Sequence, residues 1–215
     1  MAPHTNVLFV FGTRPEAIKL CPVLLHMRRR GEFSVKACVT AQHRGMLDQV
    51  LAAFRVTPDY DLDVMQAGQT LAQSTARILS QLAPVLAAER PGMVLVQGDT
   101  TTTLAGALAA FYQHIPVGHV EAGLRTGDLS QPFPEEMNRV VTTRLATLHF
   151  APTPLAAGRL AAEGVAGERI FVTGNSGIDA VLHVRDALAG GSMVVAPWTQ
   201  LDATKKLIVV TAHRR

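Results

Sequence analysis

Short unbroken apolar runs recur along this chain, and each is followed by a stretch long enough for a helix. The runs are 6–11 (NVLFVF), 35–40 (VKACVT), 93–97 (MVLVQ), 116–120 (PVGHV), 148–151 (LHFA) and 169–172 (RIFV). Strands that are apolar throughout, rather than alternating apolar with polar, are covered on both faces, which is the habit of parallel sheets. Helical patterns fall at 45–54, 69–89, 101–114, 134–145, 154–163 and 178–188, with a short extended piece at 60–64. A further helix starts at Thr13, a good cap, with Pro15 and Glu16 in its first turn. Alternation at this spacing predicts βαβ units: a doubly wound, mostly parallel, Rossmann-like α/β sheet with helices on both faces.

The pattern breaks at 190–204 (GGSMVVAPWTQLDAT). Residues 1–189 are therefore expected to form one domain and 190–204 a connector. Residues 205–215 (KKLIVVTAHRR) are expected to be the first strand of a second domain, with His213, Arg214 and Arg215 at its carboxyl end. Ligands in open α/β sheets sit just outside such strand ends. On this reading the ligand is held between two halves, and the chain carries the first of them.

Composition narrows the function. A hydrophobic share of 48% against 17% charged residues supports a buried core. Net charge is only +3, aromatic residues make up 5%, and the one basic run is Arg28–Arg30. Interleaved aromatic and basic residues, the signature of nucleic-acid binding, are missing. Arg28–Arg30 suit the end of a helix, where cations complement the dipole. Cys21 and Cys38 have no metal spacing and sit among apolar residues, so they are expected to pack as small hydrophobes in a reducing cytoplasm. The N-terminal residues lack the pattern of a secretory leader, and no apolar run reaches the ~18 residues of a membrane span.

Four segments next to strand ends carry candidate chemistry. Gly12-Thr13-Arg14-Pro15-Glu16 joins a glycine, an arginine and a helix start, which suits a phosphate but also fits a plain capped helix. Gln97-Gly98-Asp99 precedes four threonines, Thr100–Thr103; Asp99 points either to chemistry or to a helix cap. His119-Val120-Glu121 ends a strand on a carboxylate and runs into a loop with Arg125 and Asp128, the latter equally fitted to brace a turn. Pro134-Glu135-Glu136 opens a helix with two carboxylates, a position that the dipole favours. Asp99, Glu121 and Glu135 would converge on one crevice. Mutual repulsion then raises the pKa of at least one of them into a range useful for proton transfer. With no histidine at ligand spacing, and with Arg14, Arg125 and Arg139 to balance charge, acid/base work fits better than a metal site.

FGTRPEAIK, TAQHRGMLDQVL, GDTTTT, HVEAGLRTGD, PFPEEMNR and TGNSGIDA occur in this order from Phe11 to Ala180. Together they resemble the non-hydrolysing UDP-N-acetylglucosamine 2-epimerases of bacteria. The resemblance implies the first half of a two-domain fold of the glycosyltransferase-B type, interconverting UDP-GlcNAc and UDP-ManNAc for surface polysaccharides, with no cofactor. It implies catalytic carboxylates at Asp99, Glu121 and Glu135, with acid and base unassigned. It places Arg14 and His213 at the diphosphate, Lys19 in support of the cleft, and Thr102, Arg139 and Asn175 around the substrate. It implies elimination of UDP across C1–C2 to 2-acetamidoglucal, then re-addition.

Some relatives bind a second UDP-GlcNAc as activator. Here Gln42 and His43 match that site, but Gly45 and Gly68 stand where larger polar groups are expected, so hyperbolic kinetics are expected. The family also implies a homodimer through helices of the first domain. It implies as well that residues 1–215 alone are an incomplete, inactive half, the sequence being a shortened form of a longer enzyme. Two other readings share these motifs: a hydrolysing relative that releases free ManNAc and UDP, and a non-catalytic nucleotide-binding or dimerisation module. A glycosyltransferase of the same fold fits GDTTTT and HVEAGLRTGD less well.

Overall fold

The structure, a computed structural model, describes residues 5–41, 44–194, 202 and 204–210. Strand β1 (Thr5–Phe11) leads into α1 (Arg14–Arg30), and β2 (Phe33–Val39) into α2 (Arg44–Phe54). A two-residue β3 (Tyr60–Asp61) precedes α3 (Leu71–Glu89). Then come β4 (Met93–Gln97), α4 (Thr101–Tyr112), β5 (Val117–Val120), α5 (Glu135–Leu145), β6 (Leu148–Ala151), α6 (Pro154–Ala162), β7 (Ile170–Val172) and α7 (Ser176–Ala189). The strands form one seven-stranded sheet in the order β3-β2-β1-β4-β5-β6-β7. Every pairing in it is parallel.

This is the doubly wound sheet that the apolar runs predicted. Residues alternate between its two faces, and each face has its own core. Phe9 and Phe11 of β1 pack under α1 and α2, with Leu20, Leu24, Leu47 and Leu51. Leu8 and Val10 point the other way, to Leu82 and Leu86 of α3 and Ala107 and Ala110 of α4. Both faces of β1 are closed, which is why no polar residue interrupts Val7–Phe11. Burying one such Leu or Phe side chain is worth about 1.5–3 kcal/mol.

The helix starts follow their local chemistry. Thr70 caps α3, accepting from the Gln73 amide at 3.2 Å, while the Gln73 side chain accepts from the Thr70 amide at 2.8 Å. Helix α1 starts as expected, with Thr13 at the cap position, and the Glu16 side chain in its first turn accepts from the Thr13 amide at 2.7 Å. At the other end, Arg28–Arg30 form the last turn of α1 before Gly31, as the charge argument required. Cys21 and Cys38 are free and buried, and burial pushes both thiols up to about 12.

Residues 206–210 depart from expectation. They form no strand, and Ile208, Val209 and Val210 lie about four-fifths exposed. A strand is stable only when a neighbour takes its backbone hydrogen bonds, and none pairs with this segment. Of the connector expected over 190–204, residues 195–201 and 203 lie outside the described residues, and so does the expected strand end at 211–215.

Candidate active site

The sheet changes direction between β1 and β4. From β1 the chain works outward through β2 to β3, and from β4 it works outward the other way to β7. In doubly wound sheets such a switch opens a crevice at the carboxyl ends of the two central strands. Gly12–Arg14 follow β1, Gly98–Asp99 follow β4, and Glu121 follows β5, so three of the four segments singled out above face one crevice.

Glu16 ties the first two together. It is 1% exposed. One oxygen accepts from the backbone amides of Gly12 (3.0 Å) and Thr13 (2.7 Å). The other accepts from the Thr100 hydroxyl at 2.8 Å, with the Thr103 hydroxyl 3.3 Å away. Burial raises its pKa, and hydrogen bonds from Gly12, Thr100 and Thr13 pull the other way. Gly12 sits in the same tight joint. A β-carbon there would lie 1.9 Å from the Thr40 hydroxyl and 2.7 Å from that of Thr102.

The four threonines divide their tasks. Thr100 caps α4 through the Thr103 amide at 3.2 Å. Thr103 donates to the carbonyl of Gln97 at 2.6 Å. Thr102 is fully buried and bonded to Thr40 at 2.8 Å. Thr101, with Thr100, lines the open cavity described below. In this structure Thr102 braces the end of β2 against α4.

Glu121 adopts a left-handed backbone, φ 65°, a conformation costing of order 1–3 kcal/mol that persists only where the surroundings enforce it. They do so through its carboxylate. Lys19 Nζ lies 2.5 Å from one oxygen and 2.6 Å from the other. Gln97 Nε2 lies 2.5 Å from the second oxygen. Lys19, which the resemblance placed in support of the cleft, thus holds the Glu121 carboxylate.

Asp99 faces the same space. Burial raises its pKa, the Arg139 guanidinium opposes this, and the carboxylates of Glu135 and Glu121 add to the rise. The three carboxylates do converge, but burial, not repulsion, leads. Arg139 Nη2 stands 3.4 Å from Asp99, and its Nε stands 3.0 Å from Glu136. Burial also drives the carboxyl of Glu136 upward, but the amides of Gly127 and Thr126, with Arg139, hold it below its usual range. Asn138 donates to the Asp99 carbonyl at 2.8 Å. Behind the turn, buried His119 donates from Nε2 to the Gly98 carbonyl at 2.7 Å. Its burial depresses the imidazole pKa to about 4, so the ring is neutral.

A cavity of about 330 Å3 is bounded by Asp99, Glu135, Thr13, Thr70, Thr101 and Asn138, among others. The amino ends of α1, α3, α4 and α5 all reach it, through Thr13, Thr70–Leu71, Thr100–Thr101 and Pro134–Glu135. Four positive dipole ends around one space favour negative charge there.

The other expected residues scatter. Arg14 is exposed at the first turn of α1 and makes no ion pair with a described residue. Asn175 caps α7, accepting from Gly177 at 2.9 Å, and this helix start lies beside Lys19. Arg125 is not free to balance the carboxylates. Its guanidinium grips both oxygens of Glu163, at 2.7 and 2.9 Å. Asp128 braces its own loop, accepting from Ser130 at 2.8 Å. His213, Gln42 and His43 lie outside the described residues. Glu16 and Gln97 were not singled out. The available signal for Gln97 was an amide closing an otherwise apolar strand.

The fold and the crevice define a doubly wound α/β protein that gathers carboxylates and helix amino ends at its switch point. The family model described as UDP-N-acetylglucosamine 2-epimerase matches residues 25–215, and the chain belongs to that family. It is 57% identical over 214 residues to the UDP-N-acetylglucosamine 2-epimerase of Escherichia coli K12, covering 98% of this chain and 57% of that one. It is 48% identical over 213 residues to the enzyme of the same name from Neisseria meningitidis serogroup A, with the same coverage. The chain thus spans just over half the length of the curated relatives it matches.

Among solved structures, the N. meningitidis epimerase bound to UDP-GlcNAc superposes with TM-score 0.83 at 51% identity, over 86% of this chain and 50% of that one. The Methanocaldococcus jannaschii enzyme in complex with UDP-GlcNAc and UDP gives 0.78 at 38%, over 83% and 49%. MurG from Acinetobacter baumannii, at 17% identity and TM-score 0.56, shares the fold. No helix among the described residues is long and apolar enough to cross a membrane.

Proposed function

We propose that this chain forms the carboxylate-bearing half of a non-hydrolysing UDP-N-acetylglucosamine 2-epimerase that acts on UDP-GlcNAc and UDP-ManNAc. The observation that carries the reading is Asp99 at the sheet's switch point, near enough to Glu135 and Glu121 to feel both charges, beside a cavity that four helix amino ends reach. The C2 hydrogen of the substrate is not adjacent to a carbonyl, so direct deprotonation is too slow. Elimination avoids this. A carboxylate takes the C2 proton, the C–H electron pair becomes the C1=C2 bond of 2-acetamidoglucal, and the C1–O bond breaks with its electrons leaving on UDP. Protonation of C2 on the opposite face and return of UDP to C1 complete the inversion.

Each need has a candidate here. The helix amino ends and Arg14 suit the departing diphosphate. The raised pKa of Asp99 suits a group that gives and takes a proton near neutrality. Glu121, gripped by Lys19 and Gln97, is held in one orientation. Arg139 sets the charge around Asp99. His213 is proposed to approach the diphosphate from beyond the first domain. We place the product in surface-polysaccharide supply and the active form as a homodimer built on helices of this domain.

Proton NMR of UDP-GlcNAc in D2O tests the reaction, run on the 215-residue chain and on the gene product carrying this sequence in full. Deuterium at C2 together with UDP-ManNAc supports it. Free ManNAc and UDP point to a hydrolysing enzyme, and no exchange in the full gene product removes epimerisation altogether.

A further inference from the structure

Strand β4 reads MVLVQ: four apolar residues, then an amide that is 2% exposed. A buried amide is costly unless its hydrogen bonds are made. Gln97 Nε2 makes its bond to Glu121 Oε2 at 2.5 Å, across the joint where β4 pairs with β5 through Gln97 and Val120. A carboxylate only accepts, so the amide nitrogen, not its oxygen, must face it. Oε2 also accepts from Lys19 at 2.6 Å, while Oε1 accepts, among the described residues, from Lys19 alone at 2.5 Å. Each carboxylate oxygen has two lone pairs. Those of Oε2 are both engaged, and one of Oε1 remains open.

We propose, resting on the epimerase reading, that Gln97 is a positioning residue: it locks Oε2 of Glu121 so that Oε1 is the oxygen that meets the substrate. The backbone supports the same geometry. Glu121 is held at φ 65°, and Oε2 lies toward the β4 turn, where a β-carbon on the neighbouring Gly98 would come 3.8 Å from it. Lys19 alone does not fix the carboxylate, because a single ammonium astride both oxygens leaves it free to rock about that contact. The third donor removes that freedom.

The test is Gln97→Met in the full gene product, a replacement of similar length without a donor. A rocking carboxylate misplaces the proton-transfer oxygen, so kcat should fall about 10- to 100-fold with KM changed less than about threefold. Gln97→His, which can donate from Nε2, should recover most of the loss. Unchanged kcat in Gln97→Met would falsify the proposal, as would a rise in KM alone. Should the methionine variant not fold, NMR of the wild-type chain decides. The Gln97 side-chain amide protons should move upfield on Glu121→Ala, and an unmoved signal overturns the contact. That readout needs no turnover, so an inactive wild type would count against the epimerase reading and not against the role of Gln97.

Discussion

Lys19 Nζ lies within 2.6 Å of both carboxylate oxygens of Glu121, joining residues 102 positions apart in the chain. Both side chains are largely withdrawn from solvent, so neither is replaceable by water at no cost. Lys19→Met should lower stability by about 1–3 kcal/mol, each kcal/mol being worth about 2–4 °C in Tm for a chain of this size. It should also reduce kcat in the full gene product by one to two orders of magnitude. Calorimetry with steady-state kinetics measures both, and an unaltered Tm would mean that the pair is not formed in solution.

Glu16 serves structure rather than chemistry. Glu16→Gln turns one acceptor oxygen into a donor that faces amide or hydroxyl donors. With bonds from Gly12, Thr13 and Thr100 at stake, it should destabilise by about 2–4 kcal/mol. Urea denaturation should show a lower midpoint with an unchanged slope. A midpoint equal to wild type would show that the clamp contributes nothing.

The three carboxylates should respond alike in activity. Asp99→Asn, Glu121→Gln and Glu135→Gln are each expected to lose about 10²–10⁴ in kcat while folding normally. Glu135 is the sharpest case, because a first-turn glutamate that merely suits the helix dipole contributes about 0.3–1 kcal/mol to stability and nothing to turnover. Near-normal kcat in any one variant removes that residue from the reaction.

His119 predicts an acid limb. Its folded pKa is about 4, below the ordinary value of 6.5. Between these values the unfolded chain binds a proton that the folded chain does not, so stability falls as pH drops from about 6.5 towards 4, by on the order of 3 kcal/mol. His119→Gln, which retains a donor for the Gly98 carbonyl, should flatten this limb. Equilibrium unfolding at pH 4.5 and 7 compares them, and an equally steep loss in the variant would assign the limb to other groups.

The order of strands and helices was open in the sequence because buried parallel strands leave continuous apolar runs. Ends were less legible: β3 shrank to two residues. For the site, strand-end position alone brought out Asp99 and Glu121. What stayed hidden was pairing over distance. Nothing local links Lys19 to Glu121, or shows that Glu163 would claim Arg125. Thr102 looked like its three neighbours, yet the helix turns it inward onto Thr40. Gln97 was placed in its strand but given no role, because its partner Glu121 lies 24 residues away.

All seven strands run the same way, so one rim of the sheet collects every carboxyl end and the other collects none. The second rim is made of the connections that lead into β2, β4, β5, β6 and β7, around Gly31, Pro91, Ile115, Thr147 and Val165. These turns stand a full strand length from the carboxylates. An epitope, a purification handle or a surface-immobilising cysteine grafted there would report on or tether the protein without entering the crevice, whereas the same insertion after β1, β4 or β5 would fall on the chemistry itself.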